Sequence, residues 1–87
     1  PYYNDFVVHG EQLYGFDGPI LLCFDLNDQK IRWRARGYGN GQTLLLSDQG
    51  LLVVLTETGE VALVEAQPNK HVELSRISAI TGKTWNH

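Results

Sequence analysis

Apolar residues fall in short runs along this chain, each closed by Gly, Pro, Asn or Asp. No stretch of about a dozen residues carries apolar positions at i, i+3, i+4 and i+7, so the pattern argues against helices. The runs predict strands at Phe6–His9, Gln12–Asp17, Ile20–Leu26 and Ile31–Arg36, then at Thr43–Ser47, Leu51–Glu57, Glu60–Ala66 and Val72–Ile77. The links between them are turn-like: Gly10-Glu11, Asp17-Gly18-Pro19, Asn27-Asp28-Gln29-Lys30, Asp48-Gln49-Gly50, Thr58-Gly59 and Gln67-Pro68-Asn69-Lys70. Links this short join antiparallel neighbours, because a parallel crossover needs a dozen residues or more.

The two sets of strands are one unit written twice. Phe6-Val7-Val8 matches Leu44-Leu45-Leu46 at an offset of 38, and Gly18 matches Gly59 at 41. A period near 40 with four strands per unit predicts an all-β fold of two four-stranded antiparallel β-propeller blades. The first blade is expected over residues 1–40, the second over 41–80, and a link toward a further blade over 81–87. Leu44–Leu46, Leu51–Leu55, Val61–Val64 and Ile20–Phe24 do not alternate with polar residues, the mark of strands with an apolar neighbour on both faces. Ile31-Arg32-Trp33-Arg34-Ala35-Arg36 does alternate, as an outer edge half in water should, and its arginines guard that edge against stray pairing.

Composition narrows the functional classes. The chain has 87 residues, 43% of them hydrophobic, which suits a packed structure. A net charge of −3 leaves no basic footprint for nucleic acid. No apolar run approaches the ~20 residues of a membrane helix, so no membrane insertion is expected. Pro1–Asp5 reads as neither a leader nor an initiating Met, which predicts a stretch excised from a longer chain. Cys23 is the single cysteine and lies within Ile20–Phe24. It has no intrachain partner and no metal-site spacing, and it is expected to be a buried, inert thiol.

The run Cys23-Phe24-Asp25-Leu26-Asn27-Asp28-Gln29-Lys30-Ile31-Arg32-Trp33 resembles the tryptophan-docking motif of quinoprotein propellers, small–x–Asp–x–x–Thr–Gly–Lys–x–x–Trp. Cys23, Asp25, Lys30 and Trp33 stand at its positions, while Asp28-Gln29 replaces the usual Thr-Gly. In the second unit Glu65, Pro68 and Lys70 echo the motif, with Leu74 near the Trp position but one residue late. Gly37–Gln42 and Gly82–His87 also resemble segments of bacterial quinoprotein-like propellers grouped with the lipoprotein of the outer-membrane barrel-assembly machinery. The resemblance implies that Asp25 and Lys30 shape the hairpin and that the Trp33 indole packs on an adjacent blade. It implies a periplasmic or otherwise extracytoplasmic setting and a non-enzymatic scaffold or protein-interaction module. Its alternatives are a fragment of a quinone (PQQ)-dependent dehydrogenase and a ligand-sensing propeller.

The residues themselves offer little chemistry. Asp17, Asp25, Asp28 and Asp48 stand at turns, where Asp caps local N–H groups. His9, His71 and His87 are far apart in sequence, and no Gly-x-Ser-x-Gly elbow activates a serine. Gly37–Gln42 is Gly-rich but lacks the Lys-Ser/Thr ending and following helix of a phosphate loop, and it is expected to be a flexible link. No catalytic, metal or cofactor residue is assigned. An exposed surface for a partner is expected at Tyr38, Asn40, Gln42, Trp85 and His87. Two blades alone leave two apolar faces bare, so self-association is expected, a tetramer ahead of a dimer.

Overall fold

A computed structural model describes residues 6–78; Trp85 and His87 lie outside them. Eight strands follow in order: β1 (Phe6–His9), β2 (Gln12–Asp17), β3 (Ile20–Asp25), β4 (Lys30–Ala35), β5 (Gln42–Leu46), β6 (Leu51–Leu55), β7 (Glu60–Glu65) and β8 (Glu73–Ser78). They form two four-stranded sheets, β1-β2-β3-β4 and β5-β6-β7-β8, antiparallel throughout. β1 and β2 begin and end where the sequence predicts. The other strands shift at their ends by one or two residues: β4 and β5 start one residue earlier and β8 ends one later, while the other shifted ends stop short.

The register corrects the repeat alignment. Val7 pairs with Tyr14, Tyr14 with Cys23, and Cys23 with Trp33. In the second sheet Leu44 pairs with Val53, Val53 with Leu63, and Leu63 with Ser75. Each third strand has a register shift at the same place, Cys23/Phe24 in one sheet and Leu63/Val64 in the other. Each unit also extends its central hairpin with a matching bond: Leu26 N donates to Glu11 O, and Ala66 N to Gly50 O, at 2.8 and 2.9 Å. Val7 therefore corresponds to Leu44, an offset of 37 rather than 38, and Trp33 corresponds to Ser75. Leu74 is not the Trp counterpart; it stands opposite the shift, where Arg32 stands in the first unit. The turns absorb the drift, since Gly10-Glu11 becomes Ser47–Gly50.

The shift also breaks the alternation expected of β4. Trp33 pairs with Cys23, but the next pair is Phe24 with Ile31, so Ile31 turns to the opposite face from Trp33. Trp33 is buried and Ile31 is 37% exposed.

The sheets pack face to face. Tyr14, Phe16, Leu21, Cys23 and Trp33 from the first meet Leu52, Val54, Ala62 and Val64 from the second, with Tyr38 at the rim. Cys23 is a free thiol with no exposure, as expected. The two outward faces are also apolar. Val8 is 51% exposed on the first sheet; Leu44 and Ile77 are 56% and 63% exposed on the second. The unbroken apolar runs of β6 and β7 are thus covered on one face only, alternating buried and half-buried.

Candidate functional site

The seam between the sheets gathers most of the polar and aromatic side chains that interact at a distance in sequence. Trp33 comes from the edge strand β4, and its position opposite Cys23 aims it at the second sheet. Its indole Nε1 donates to Gln67 O at 2.8 Å. Its ring stands edge-on to His71 at 5.2 Å and tilted to Tyr14 at 6.0 Å. An indole buries a large area while its one N–H finds an acceptor, so it suits a seam of this kind.

Asp25 anchors the hairpin before Trp33. Its Oδ1 accepts from Asn27 N at 2.8 Å and Asp28 N at 3.4 Å, which closes an Asx-type turn. These backbone donors, helped by Arg32, hold its carboxyl below the ordinary value. The cation that reaches it is Arg32, whose Nε lies 3.1 Å from Oδ2 and whose guanidinium also pairs with Asp28. Lys30 stands opposite Asp25 in the register and is exposed. In the second unit Gln67 takes over the turn, its Oε1 accepting from Asn69 N at 2.8 Å and Lys70 N at 3.3 Å. Glu65 holds the position of Asp25 in the register and accepts from Gln67 Nε2 at 3.0 Å.

The link 37–42 is held in place rather than flexible, and Tyr38 is not exposed. Tyr38 is 2% accessible, with its ring edge-on to Phe16 and His71. Its hydroxyl donates to Glu73 Oε1 at 2.7 Å and lies 2.8 Å from His71 Nε2. A hydroxyl has one proton, so when it serves Glu73 the imidazole must donate through Nε2–H. Arg76 closes the cluster. Its guanidinium sits 4.7 Å above the Tyr38 ring, binds Glu73 through two nitrogens, and reaches Glu60 Oε1 at 2.8 Å and Gly37 O at 3.0 Å. Gly39 permits the path of the link: with φ at 68°, any Cβ there would fall 2.6 Å from Glu57 Oε1. Glu57 in turn accepts from Asn40 N at 2.8 Å. Asn40 and Gln42 are exposed, as expected.

Electrostatics fix the protonation states of the cluster. Burial, followed by the neighbouring carboxylate, raises the Tyr38 phenol, so it remains a neutral donor. Arg76 holds the Glu73 carboxyl low, and burial lowers His71. The arrangement joins a link from the first unit to β8 of the second through neutral Tyr38 and an ionised Glu73–Arg76 pair. It therefore works as a latch across the seam.

Trp33 and Asp25 stand out in the sequence through the motif they occupy, His71 only as one of three scattered histidines, and Glu73 and Arg76 not at all. The alternating charges of Glu73 and Arg76 beside His71 carried a signal only in combination with Tyr38, which is 35 residues from Glu73 in sequence. Among the described residues, no group of three or more His, Cys, Asp or Glu is placed to hold a metal ion. Compared with family models, curated proteins and solved structures, the chain matches none.

Proposed function

We propose that this chain is a scaffold module without enzymatic activity: two consecutive blades of a quinoprotein-like propeller from an extracytoplasmic bacterial protein. Its role is to continue a ring of stacked sheets and to present the loops at their ends to protein partners. The observation that carries the reading is that both outward faces are apolar. A two-sheet sandwich is finished once its inner faces meet, and its outer positions are polar. Here Val8 and Ile31 on one outside and Leu44, Leu55 and Ile77 on the other are exposed hydrophobics. Sheets of this kind suit a stack in which each has a neighbour on both sides. The resemblance around Asp25 and Trp33 supports the same reading.

A tandem chain of two copies joined end to end tests it. Blades stacked in series bury one further pair of faces, so the tandem is expected to unfold at a higher urea midpoint, and with a steeper dependence on urea, than one copy kept dilute enough to be monomeric. A tandem that unfolds at the single-copy midpoint with the single-copy slope would mean a self-sufficient sandwich, and the blade reading would fail. Pyrroloquinoline quinone with calcium is expected to leave the absorbance spectrum of the quinone unchanged when the protein is added; a stoichiometric spectral shift would favour a dehydrogenase fragment.

A further inference from the structure

The register equivalence says which face would meet which. The covered face of the first sheet carries Val7, Tyr14 and Cys23; their counterparts Leu44, Val53 and Leu63 lie on the open face of the second. Conversely, the covered Leu45, Leu52 and Val64 of the second sheet correspond to Val8, Leu13 and Phe24 on the open face of the first. The two sheets therefore use different faces to pack on each other. The interface is heterologous, and it leaves over one face of each kind that it is made from.

We infer that the two open faces bind each other between copies of this chain, head to tail, in the arrangement of the internal seam. The inference rests on the blade reading above and adds the partner and the pairing of faces. Three features support it. The open face of the first sheet forms an apolar hollow of about 240 Å³ lined by Phe6, Leu13, Leu22, Phe24, Leu26 and Ile31. The opposing face offers exposed aliphatic side chains, Leu44 and Ile77 the most exposed. Arg34 on the first sheet occupies the register position of Arg76, the residue that reaches across the internal seam to the preceding link. A heterologous contact repeats until a ring closes, so assemblies of this chain grow by whole copies and stop at a closed number. With about 4–8 blades to a propeller, rings of two, three or four copies are possible.

Single-face variants separate this arrangement from every symmetric alternative. The double variant Val8→Lys, Ile31→Lys blocks one face, and Leu44→Lys, Ile77→Lys blocks the other; all four positions are already exposed. Far-UV circular dichroism and the urea transition of each variant verify folding, and the milder Val8→Thr and Leu44→Thr variants replace any that fails. Sedimentation equilibrium is expected to show the unmodified chain above monomer mass and each variant alone as a monomer. An equimolar mixture of the two variants is expected to form a 1:1 dimer, because each contributes the face the other lacks. A variant that still dimerises alone would establish a like-to-like contact and overturn the inference. A mixture that remains monomeric while the unmodified chain associates would overturn it as well, as would an unmodified chain that remains monomeric at millimolar concentration. The tandem joins the same two faces within one chain, so a stabilised tandem beside separate copies that stay monomeric or pair like to like leaves the blade reading standing and overturns only the association between copies.

Discussion

At the scale of single residues, burial decides behaviour more than residue type does. The Tyr14 hydroxyl is buried, its polar neighbour is the Cys23 thiol, a weak hydrogen-bond partner, and burial followed by that thiol raises its pKa above the ordinary phenol value. Tyr14→Phe removes that poorly satisfied group at nearly constant shape, so the urea midpoint is expected to hold or rise by the equivalent of up to about 1 kcal/mol. The Cys23 thiol is pushed up to about 11 by burial, which keeps it protonated and unreactive at neutral pH. Labelling by a thiol reagent is expected to be slow in the folded protein and fast in urea; rapid stoichiometric labelling without denaturant would contradict its place in β3. Trp33→Ala empties a packed site and breaks the bond to Gln67, and is expected to cost about 3–5 kcal/mol. The motif made Asp25 and Trp33 legible in the sequence. The contact of Arg32 with Asp25 was not, because it depends on how the strands pair, which residue spacing does not reveal.

At the scale of elements, the link 37–42 and strand β8 act together. Glu73 has its pKa lowered by Arg76, so its contribution to stability is present above its unfolded value and is lost as pH falls through the folded one. His71 is lowered by burial from its ordinary 6.5, so the unfolded chain binds that proton first. Stability is therefore expected to fall as pH drops below about 6.5, with a second loss as Glu73 is protonated. Urea midpoints measured between pH 8 and pH 3 should show both, and His71→Asn should remove the first while keeping the second. Gly41 tests the path of the link directly. A Cβ there would lie 2.6 Å from Leu55 O and 2.9 Å from Phe16 Cζ, and a backbone carbonyl has little room to retreat. Gly41→Ala is expected to destabilise by about 1–3 kcal/mol. The Gly-rich composition suggested a loose link, but positive φ at Gly37 and Gly39 and close approach at Gly39 and Gly41 are the reasons glycine stands there.

For the whole molecule, the deciding quantity is how much apolar surface has a neighbour. Each sheet has one face in the common core and one in water, and the second is built from Val, Leu, Ile and Phe. Association that covers those faces acts as a ligand for the folded state, so the thermal midpoint of the unmodified chain is expected to rise with protein concentration. In the single-face variants the midpoint should be independent of concentration over the same range.

The strands, their antiparallel order and the doubling of the unit are legible in the residue pattern, because alternation, turn residues and period are local properties of the chain. The apolar run around Cys23 pointed to its burial, but Leu63 holds the equivalent place in an equally apolar run and lies on the open face. Which face of each strand is covered follows from packing alone. A side-chain period of two means that one residue of slip exchanges the faces, and the shifts at Cys23/Phe24 and Leu63/Val64 are set by packing between strands. Packing alone also brought Tyr38, His71, Glu73 and Arg76 together, because their meeting requires two sheets to stack, and stacking joins residues that share no local pattern.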